Sequence, residues 1–457
     1  MGLSKKLTAI ADGFRSSGGT TAKLSLEEMA ALAANGGAGL IEDKPTTPGQ
    51  WACLARASQM RDITYQVQAE MPAAYDYAQM MYPGIDYTGL IYSSVRATEW
   101  GFIGYGTSIY SYLTALHNPR SIAYTRKYPD YFPNPDGQAN VSNVFGTNCS
   151  EFVSYCLDRP YLGTTGTLPL LPNMIRLCEG TDKMTDFDAL RNELQLCDLA
   201  GGIIEHIEIV TGIRRNKKGV IQEVELSDSW PPRIQKITYT WDEFVQHCGV
   251  KYNYPFLRYA DLDKVTFPEN LTGMVYSDIC TSRGDKVCIR PDQDISLNVL
   301  VPDGYAGIAL FRDGVLIETH PITADAPNWE LIPMEAAEGD GMPAGKYTAI
   351  LYRSGEAVTI ESATDTNSTS FIVCAVSLEK AGNVYTYTAE AVEGVYPTPM
   401  QIALKDAKGF TKRSEAIDGE GFAGSGSIEV VASAVPGIVH LPFRTEYGFV
   451  IAEWIAG

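Results

Sequence analysis

The sequence has no run of about twenty uninterrupted apolar residues, the length that a membrane-spanning helix requires. Basic residues are also scarce, since 36 Lys and Arg stand against 55 Asp and Glu and give a formal net charge of −19. Residues 261–457 carry 28 of the acidic and 13 of the basic residues. A surface of this charge repels phosphate groups. We therefore expect neither a membrane span nor a nucleic-acid partner.

Cysteine is present without a pattern that would bind metal or build a disulfide framework. Nine cysteines are spread over 457 residues, and no Cys-x-x-Cys pair occurs. Structural zinc sites and disulfide scaffolds both depend on regular cysteine spacing. We therefore expect reduced thiols, no metal and no cofactor.

One cysteine stands at a predicted helix start, in the stretch TNCSEFVSYCL at residues 147–157. Apolar residues repeat at helical spacing from Phe152 to Leu157, which places Cys149 in the first turn. The unpaired amide groups and the dipole of a helix start favour the thiolate, which is the nucleophilic form of cysteine. Cys149 is therefore the candidate nucleophile, and Cys156 is expected to be a core residue.

A histidine begins a predicted strand later in the chain. Residues alternate in polarity after His206, a basic turn follows, and residues 220–227 (VIQEVELS) are predicted to return as the second strand of a hairpin. A histidine on a strand beside a cysteine on a helix start is typical of papain-like nucleophilic catalysis, in which a third polar residue orients the imidazole. Alternation selects Glu225 for that role. Ser227 and Asp228 remain alternatives, because a slip of one residue turns a strand side chain to the other face.

Two motifs resemble a known family. NCSEFVSYCL at residues 148–157 resembles the DCSGF nucleophile helix of the NlpC/P60 and CHAP cysteine peptidases and amidases. LQLCDLAGGIIEHIEIVTGI at residues 194–213 resembles their segment L-x-x-GDL followed by HVGIVTG. The sequence departs from the family at three positions: Asn148 replaces an aspartate, and Glu151 and Cys197 each replace a glycine.

The resemblance implies an α+β papain-like catalytic domain with a Cys149-His206-Glu225 triad. In the CHAP pattern a glutamate follows on the next strand, as Glu225 does here. Cys149 would attack an amide carbonyl after losing its proton to His206, and water would then hydrolyse the acyl-enzyme. The implied substrates are peptides of the bacterial cell wall (peptidoglycan).

Polar residues beside the predicted triad are candidates for substrate binding. They are Asn148, Ser150, Glu151, Glu208, Ser227 and Asp228. The same residues would need no special role as ordinary cap and strand polars, and a lone cysteine or histidine is more often structural. The joint context of Cys149 and His206, in the family order, sets those two apart. The remaining histidines have no comparable partner and are expected to be structural or exposed: His117, His247, His320 and His440.

The N-terminal part of the chain is predicted to be mainly helical. Residues 1–45 are predicted to form a helical element, and its stretch LTAIADGFRSSGGTTAKLSLEEMAAL at residues 7–32 resembles a short module of tail-associated prophage proteins. The alternative is a helical hairpin that docks on the next domain or on a second subunit. Residues 38–50, rich in Gly, Pro and Thr, are predicted to be a linker. The tyrosine-rich residues 51–140 are predicted to be helices interrupted by prolines. The papain-like domain is expected to span residues 46–262.

The C-terminal part is predicted to be all-β. Short alternating runs such as DISLNVL and KYTAILY are separated by Gly, Pro and Asp turns. Residues 268–375 are expected to form an Ig-like β-sandwich, and residues 376–457 a second, smaller β domain. Neither carries a motif with chemistry, so we expect binding, spacing or assembly.

The sequence therefore predicts a modular cysteine peptidase or amidase. The β domains would present it to the cell wall or fix it in a larger particle or cell-surface complex. Two alternatives remain open: a phage tail or surface structural protein with an inactive papain-like domain, and a cysteine-dependent acyl transferase. The stretch Met1–Ala11 is too short and too polar for a signal peptide. We expect a protein that is cytoplasmic until release, or associated with a virion or the cell wall.

Overall fold

The structure is a computed structural model, and its described residues form stretches separated by gaps. They are residues 40–72, 80–92, 109–125, 146–158, 173–178, 186–201, 206–289, 291, 295–331, 341–374, 376–382, 384–389, 401–405, 411–416, 424–429, 438–445 and 448–455. Most of the predicted N-terminal helical element, residues 1–39, lies outside the described residues.

Helices are few in these stretches, and most of them are short. They are α1 (Pro48–Asp62), α2 (Ile109–His117), α3 (Ile122–Thr125), α4 (Cys149–Cys156), α5 (Phe187–Glu193) and α6 (Trp241–Phe244). Helix α6 continues as the π-helical segment Val245–Lys251, and single 3-10 turns occupy Leu262–Lys264 and Ile360–Ser362. Within the described residues, no helix has the length and apolar character needed to cross a membrane.

Strands form most of the regular structure. Those of the N-terminal part are β1 (Ile41–Glu42), β2 (Thr64–Tyr65), β3 (Met71–Pro72), β4 (Met80–Met81), β5 (Tyr87–Thr88), β6 (Met174–Cys178), β7 (Leu199–Gly201), β8 (Ile207–Arg215), β9 (Ile221–Trp230), β10 (Arg233–Thr240) and β11 (Phe256–Tyr259). Those that follow are β12 (Ile279–Thr281), β13 (Val287–Ile289), β14 (Ile295–Val299), β15 (Gly307–Arg312), β16 (Val315–Pro321), β17 (Asn328–Leu331), β18 (Gly345–Tyr352), β19 (Ser368–Val373), β20 (Val376–Ala381), β21 (Val384–Ala389), β22 (Gln401–Lys405), β23 (Thr411–Ala416), β24 (Gly424–Glu429), β25 (Ile438–Thr445) and β26 (Gly448–Ile455). The described chain is therefore mainly β-sheet.

Regular structure begins inside the segment predicted to be a linker. Strand β1 pairs with β8, and helix α1 follows it closely. Thr47 caps that helix by accepting a hydrogen bond from the Gln50 amide (3.2 Å), and Pro48 takes the first helical position, where its missing N–H is not needed. The linker prediction was thus wrong for residues 41–50, because Thr and Pro here start a helix.

The described part of the tyrosine-rich segment contains strands where the sequence predicts helices. Two short antiparallel pairs, β2 with β5 and β3 with β4, lie between α1 and α2. Tyr and Thr fit the half-buried surface of a strand as well as a helix, and tertiary pairing decides between the two. The prediction of helices interrupted by prolines was wrong for these strands.

A seven-stranded sheet carries the second motif, residues 194–213. Its order is β10-β9-β8-β7-β11-β6, and β1 pairs with β8 beside this path. Strands β8 and β9 form the predicted hairpin, whose turn is closed by Asn216: its side chain accepts hydrogen bonds from the amides of Lys218 (2.9 Å) and Val220 (3.1 Å). The hairpin prediction is confirmed.

Helices α1 and α4 pack against each other beside this sheet. They belong to a core whose buried side chains run from Ala52 to Val265 along the chain. Gly49 allows close packing, since a Cβ atom there would lie 2.1 Å from the carbonyl oxygen of Leu262. Arg56 of α1 forms a buried ion pair with Asp158, just beyond the end of α4 (2.7 Å). The last turn of α4 is thereby tied to α1.

A β-sandwich follows. The three-stranded sheet β12-β14-β17 faces the five-stranded sheet β13-β19-β18-β15-β16, in which only β13 and β19 are parallel. Side chains from both sheets form one core. It includes Leu297 and Trp329 of the first sheet and Leu310, Ala349 and Phe371 of the second. This core is separate from the one that contains α4.

The sandwich contacts the helices that precede the cysteine and histidine motifs. The Ile122 amide donates to the Ser282 carbonyl (2.9 Å), the Asn118 side chain donates to the Asn298 carbonyl (3.3 Å), and Ser111 donates to the Asp285 carbonyl. His117 stacks on Tyr276 with ring centroids 4.3 Å apart. Helices α2 and α3 therefore join the two cores directly.

The last strands form two further sheets. Their orders are β20-β21-β24 and β23-β22-β25-β26, and every pairing in them is antiparallel.

Candidate active site

Helix α4 begins at Cys149 because its neighbours form a capping box. The Asn148 side chain accepts a hydrogen bond from the Glu151 amide (3.0 Å), and the Glu151 carboxyl group accepts one from the Asn148 amide (3.1 Å). The Ser150 hydroxyl donates to the same Asn148 oxygen (3.0 Å). These bonds satisfy amide groups that have no carbonyl partner within the helix. Cys149 thus occupies the first helical position, and this prediction is confirmed.

The capping box also gives a structural role to three residues predicted to bind substrate. Asn148, Ser150 and Glu151 are bonded to one another, and Glu151 is 2% exposed. Burial raises the pKa of the Glu151 carboxyl group well above its usual range, although its hydrogen bonds with Asn148 and Thr147 act in the opposite direction. Glu151 is therefore a buried cap, and its side chain does not line an open surface.

Three side chains meet where α4 begins. His206 immediately precedes β8, and its Nε2 atom lies 2.8 Å from Oδ2 of Asp228 on β9. The Cys149 thiol lies within hydrogen-bonding reach of the same ring. Cys149, His206 and Asp228 form the sequence of contacts that a cysteine nucleophile requires.

The surroundings of His206 favour its charged form. Burial alone would lower the pKa of the imidazole, but the hydrogen bonds and charges of Asp228 and Cys149 outweigh burial and raise it to about 10. A carboxylate beside the ring stabilises an imidazolium. The arrangement therefore pairs the Cys149 thiol with a histidine whose charged form is favoured.

Glu225 does not reach His206, and its selection as the orienting residue was wrong. The hairpin register pairs Glu225 with Gly212, six residues along the chain from His206, or roughly 20 Å at the usual rise of a strand. Its carboxylate accepts a hydrogen bond from Thr211 (2.9 Å) and pairs with Lys236 (3.3 Å). A bulge between Val210 and Gly212 shifts the register, and Asp228 takes the place beside His206.

Ser227 and Glu208 lie on opposite faces of the hairpin, and only Glu208 is on the face of His206. Ser227 shares a hydrogen bond with Thr211 (2.8 Å) and accepts one from Arg61 (3.1 Å), so it points to the same face as Glu225 and away from Asp228. Glu208 lies on the His206 face, with Oε1 3.6 Å from Nε2. Of the six residues predicted to bind substrate, Asp228 and Glu208 are the two that contact His206.

His247 is a residue of this site that the sequence did not reveal. Its Nε2 atom lies 3.0 Å and 3.1 Å from the two carboxylate oxygens of Glu208, and its ring stacks on Tyr239 with centroids 4.8 Å apart. It stands on the π-helical segment after α6, which carries no motif. Only the fold brings this segment against β8.

Trp230 flanks the site at the end of β9. Its ring packs edge-on against His206 with centroids 5.0 Å apart, and it remains 44% exposed. A partly exposed indole beside a reactive group offers an apolar surface to a bound molecule.

The Asp-Leu motif has a structural role. Both carboxylate oxygens of Asp198 bond to Arg258 (2.7 Å and 2.8 Å), and one accepts a hydrogen bond from the Gln195 amide (2.8 Å). Cys197, which replaces the glycine of the resembling motif, has a φ angle of 72°. Glycine adopts such angles without strain, whereas another residue pays roughly 1–2 kcal/mol. The departure at Cys197 therefore lies in the backbone turn before β7.

Two overlapping groups of described side chains have donor atoms at the spacing of metal ligands. One consists of His206, Glu208 and Asp228, and the other of Glu208, His247 and Cys248. Within each group the donor atoms lie within 4.8 Å of one another. Glu208 belongs to both groups.

A scan against protein-family models finds no match, and a search of curated proteins also finds none. Among solved structures, the chain is similar to the NIE-MG1 domains of Escherichia coli alpha-2-macroglobulin (14% identity, TM-score 0.16, covering 35% of this chain and 86% of that one). Fibronectin(III)-like modules of Clostridium thermocellum CbhA match at 15% identity and TM-score 0.14, covering 36% and 85%, and the amphioxus IgVJ-C2 molecule at 13% and 0.14, covering 37% and 99%. Similarities at these TM-scores support no conclusion about function.

Proposed function

We propose that this chain is a cysteine peptidase or amidase in which Cys149 is the nucleophile, His206 the general base and Asp228 the residue that orients His206. One observation carries the proposal: the first residue of a capped helix is a cysteine in reach of a histidine whose Nε2 atom is hydrogen-bonded to a buried carboxylate. This combination is unusual for a structural cysteine, which normally has only apolar neighbours.

The chemistry follows from the positions of these groups. The Cys149 thiol transfers its proton to His206, and the sulfur attacks the carbonyl carbon of an amide bond. The amide of Cys149, at the start of the helix, can donate a hydrogen bond to the developing oxyanion. The imidazolium then protonates the leaving amine and a thioester remains. His206 removes a proton from water, which hydrolyses the thioester and restores the thiol.

Bacterial cell-wall peptides are the substrate class that we propose. The support is the resemblance of residues 148–157 and 194–213 to the NlpC/P60 and CHAP families, which also implies a papain-like arrangement around the seven-stranded sheet. Those motifs place a cysteine on a helix and a histidine at a strand start, as found here. In this proposal the β-sandwich and the last sheets present the domain to the wall or fix it in a larger particle.

The proposal is tested by incubating the intact chain with peptidoglycan and with isolated wall peptides, and detecting released amines and new peptide masses. We expect cleavage by the native chain and by Glu225→Gln, and none by Cys149→Ala. Product that incorporates an added amine in place of water would identify a transferase. No turnover of any wall peptide, with folded protein confirmed by circular dichroism, would favour a structural protein with an inactive domain.

A further inference from the structure

Two carboxylates are buried against His206 without a lysine or an arginine. The side chains of Glu208 and Asp228 are 6% and 9% exposed. In the described part of the chain, both carboxylates form ion pairs with histidines alone, namely His206 and His247. Buried carboxylates need a countercharge. A cation of higher charge would match this site better.

The distances among the donor atoms suit a small cation. Nε2 of His206 lies 2.8 Å from Oδ2 of Asp228 and 3.6 Å from Oε1 of Glu208. Bonds of about 2.0–2.1 Å in a tetrahedral zinc site place neighbouring ligand atoms roughly 3.3 Å apart. The observed separations lie on either side of that value. The donor atoms of all three side chains lie within 4.8 Å of one another, so small side-chain shifts would bring them into a coordination shell.

The surrounding contacts orient these donors as the partners of metal ligands usually do. His247 bonds to the Glu208 carboxylate (3.0 Å and 3.1 Å) and is itself held by stacking on Tyr239. Cys149 contacts the His206 ring, whose Nε2 is already taken by Asp228. Hydrogen bonds to the far side of ligating residues typically fix their orientation and strengthen binding.

We propose that Nε2 of His206 and the carboxylates of Glu208 and Asp228 form a binding site for a divalent cation of the zinc type, with water completing the coordination. A mixed imidazole and carboxylate donor set suits zinc, whereas calcium and magnesium prefer oxygen alone. Cys149 does not belong to this group of donor atoms.

Zinc at this site would compete with catalysis. The cation takes the lone pair of His206 Nε2, releases the proton of that nitrogen to solvent, and replaces its hydrogen bond to Asp228. This consequence rests on the proposed function, whereas zinc binding itself does not. Added zinc would therefore inhibit hydrolysis, and a chelator would restore it.

The test is calorimetric titration of the chelator-treated intact chain with zinc chloride, repeated by absorbance with cobalt(II) chloride. The native chain is expected to bind one equivalent. Glu208→Gln and Asp228→Asn should each weaken zinc binding at least tenfold, as loss of a ligand requires. Glu225→Gln, a matched glutamate on the other face of β9, and Cys149→Ser should stay within about twofold of the native affinity.

Two results would overturn the site: no zinc binding by the native chain up to millimolar concentration, or binding that Cys149→Ser abolishes while Glu208→Gln preserves it. Thermal melts verify that each variant is folded, and His247→Gln, which leaves all three ligands in place, should weaken binding by less than Glu208→Gln. Calorimetry requires no turnover. A chain that binds zinc but cleaves no amide would disprove the proposed function and leave the metal site intact.

Discussion

The two ends of helix α4 carry the same side chain in different surroundings. Cys149 at the first position lies beside His206 and retains a small exposed fraction, 8%. Cys156 at the last position is fully buried, near Cys53 of α1. Seven residues of one helix thus separate a thiol next to a base from a thiol in the core.

The difference shows what makes a cysteine reactive. Burial raises the pKa of the Cys156 thiol well above its usual range, and the neighbouring Cys53 raises it further, which outweighs the opposing effect of Arg56. A thiol in such a place stays protonated and unreactive. Cys149 instead lies at the helix start beside His206, a base that can accept its proton.

The sharpest test of this contrast is alkylation by iodoacetamide at neutral pH, read for each cysteine by mass spectrometry. Cys149 should react about a thousandfold faster than Cys156 in the native chain, because it is both the accessible thiol and the one paired with a base. His206→Ala should remove most of that advantage. Equal rates at the two positions would contradict a thiolate and imidazolium pair.

Asp228 and Glu225 provide a second contrast, between two carboxylates on one strand. Asp228→Asn should lower kcat/KM and the Cys149 alkylation rate by about a hundredfold, because an amide cannot stabilise the imidazolium or fix its orientation as a carboxylate does. Glu225→Gln should change both by less than about twofold, since Glu225 bonds to Thr211 and Lys236 instead. A larger effect for Glu225→Gln would reverse the assignment.

The positions of Cys149 and His206 could be predicted because local patterns determine them. A helix start depends on Asn148 and the apolar spacing that follows, and a strand start on alternation. Both signals are present within ten residues of each functional group. The papain-like interpretation itself remains a proposal.

The orienting residue and His247 could not be predicted, for a different reason. Asp228 was one of three alternatives, and the bulge that selects it arises from pairing between β8 and β9, which no local pattern specifies. His247 stands on a π-helical segment that only the fold packs against Glu208. Long-range contacts therefore completed a site that the sequence outlined at two points.

Because of Cys156, at the buried end of α4, the free energy of unfolding should fall as the pH rises. The folded-state pKa of Cys156 lies above that of an unfolded thiol, about 8.5, so the folded chain holds this proton more tightly. Its contribution is fully present below pH 8.5 and is lost as the pH rises. Between pH 7.5 and 9.5 we expect Cys156 to account for a loss of roughly 1 kcal/mol of unfolding free energy.

Urea unfolding of reduced protein across this pH range measures the effect, with Cys156→Ala as the comparison. The variant starts from a lower stability because its core is less filled, but its stability should decline less steeply with pH. Cys197 and Cys248 also have pKa values raised by their surroundings and contribute to the decline in both proteins. Identical slopes would mean that Cys156 does not titrate on unfolding.

Removing the helix cap at the start of α4 should have a small effect on the free energy of unfolding, together with a specific effect on Cys149. Asn148→Ala should cost about 1 kcal/mol of unfolding free energy, as loss of a helix cap usually does. Thr47→Ala removes the corresponding cap of α1 and should cost a similar amount. Only Asn148→Ala should also slow alkylation of Cys149, because only that cap fixes the helix start beside His206. If both variants lose equal stability and leave Cys149 equally reactive, the cap supports the helix without positioning the thiol.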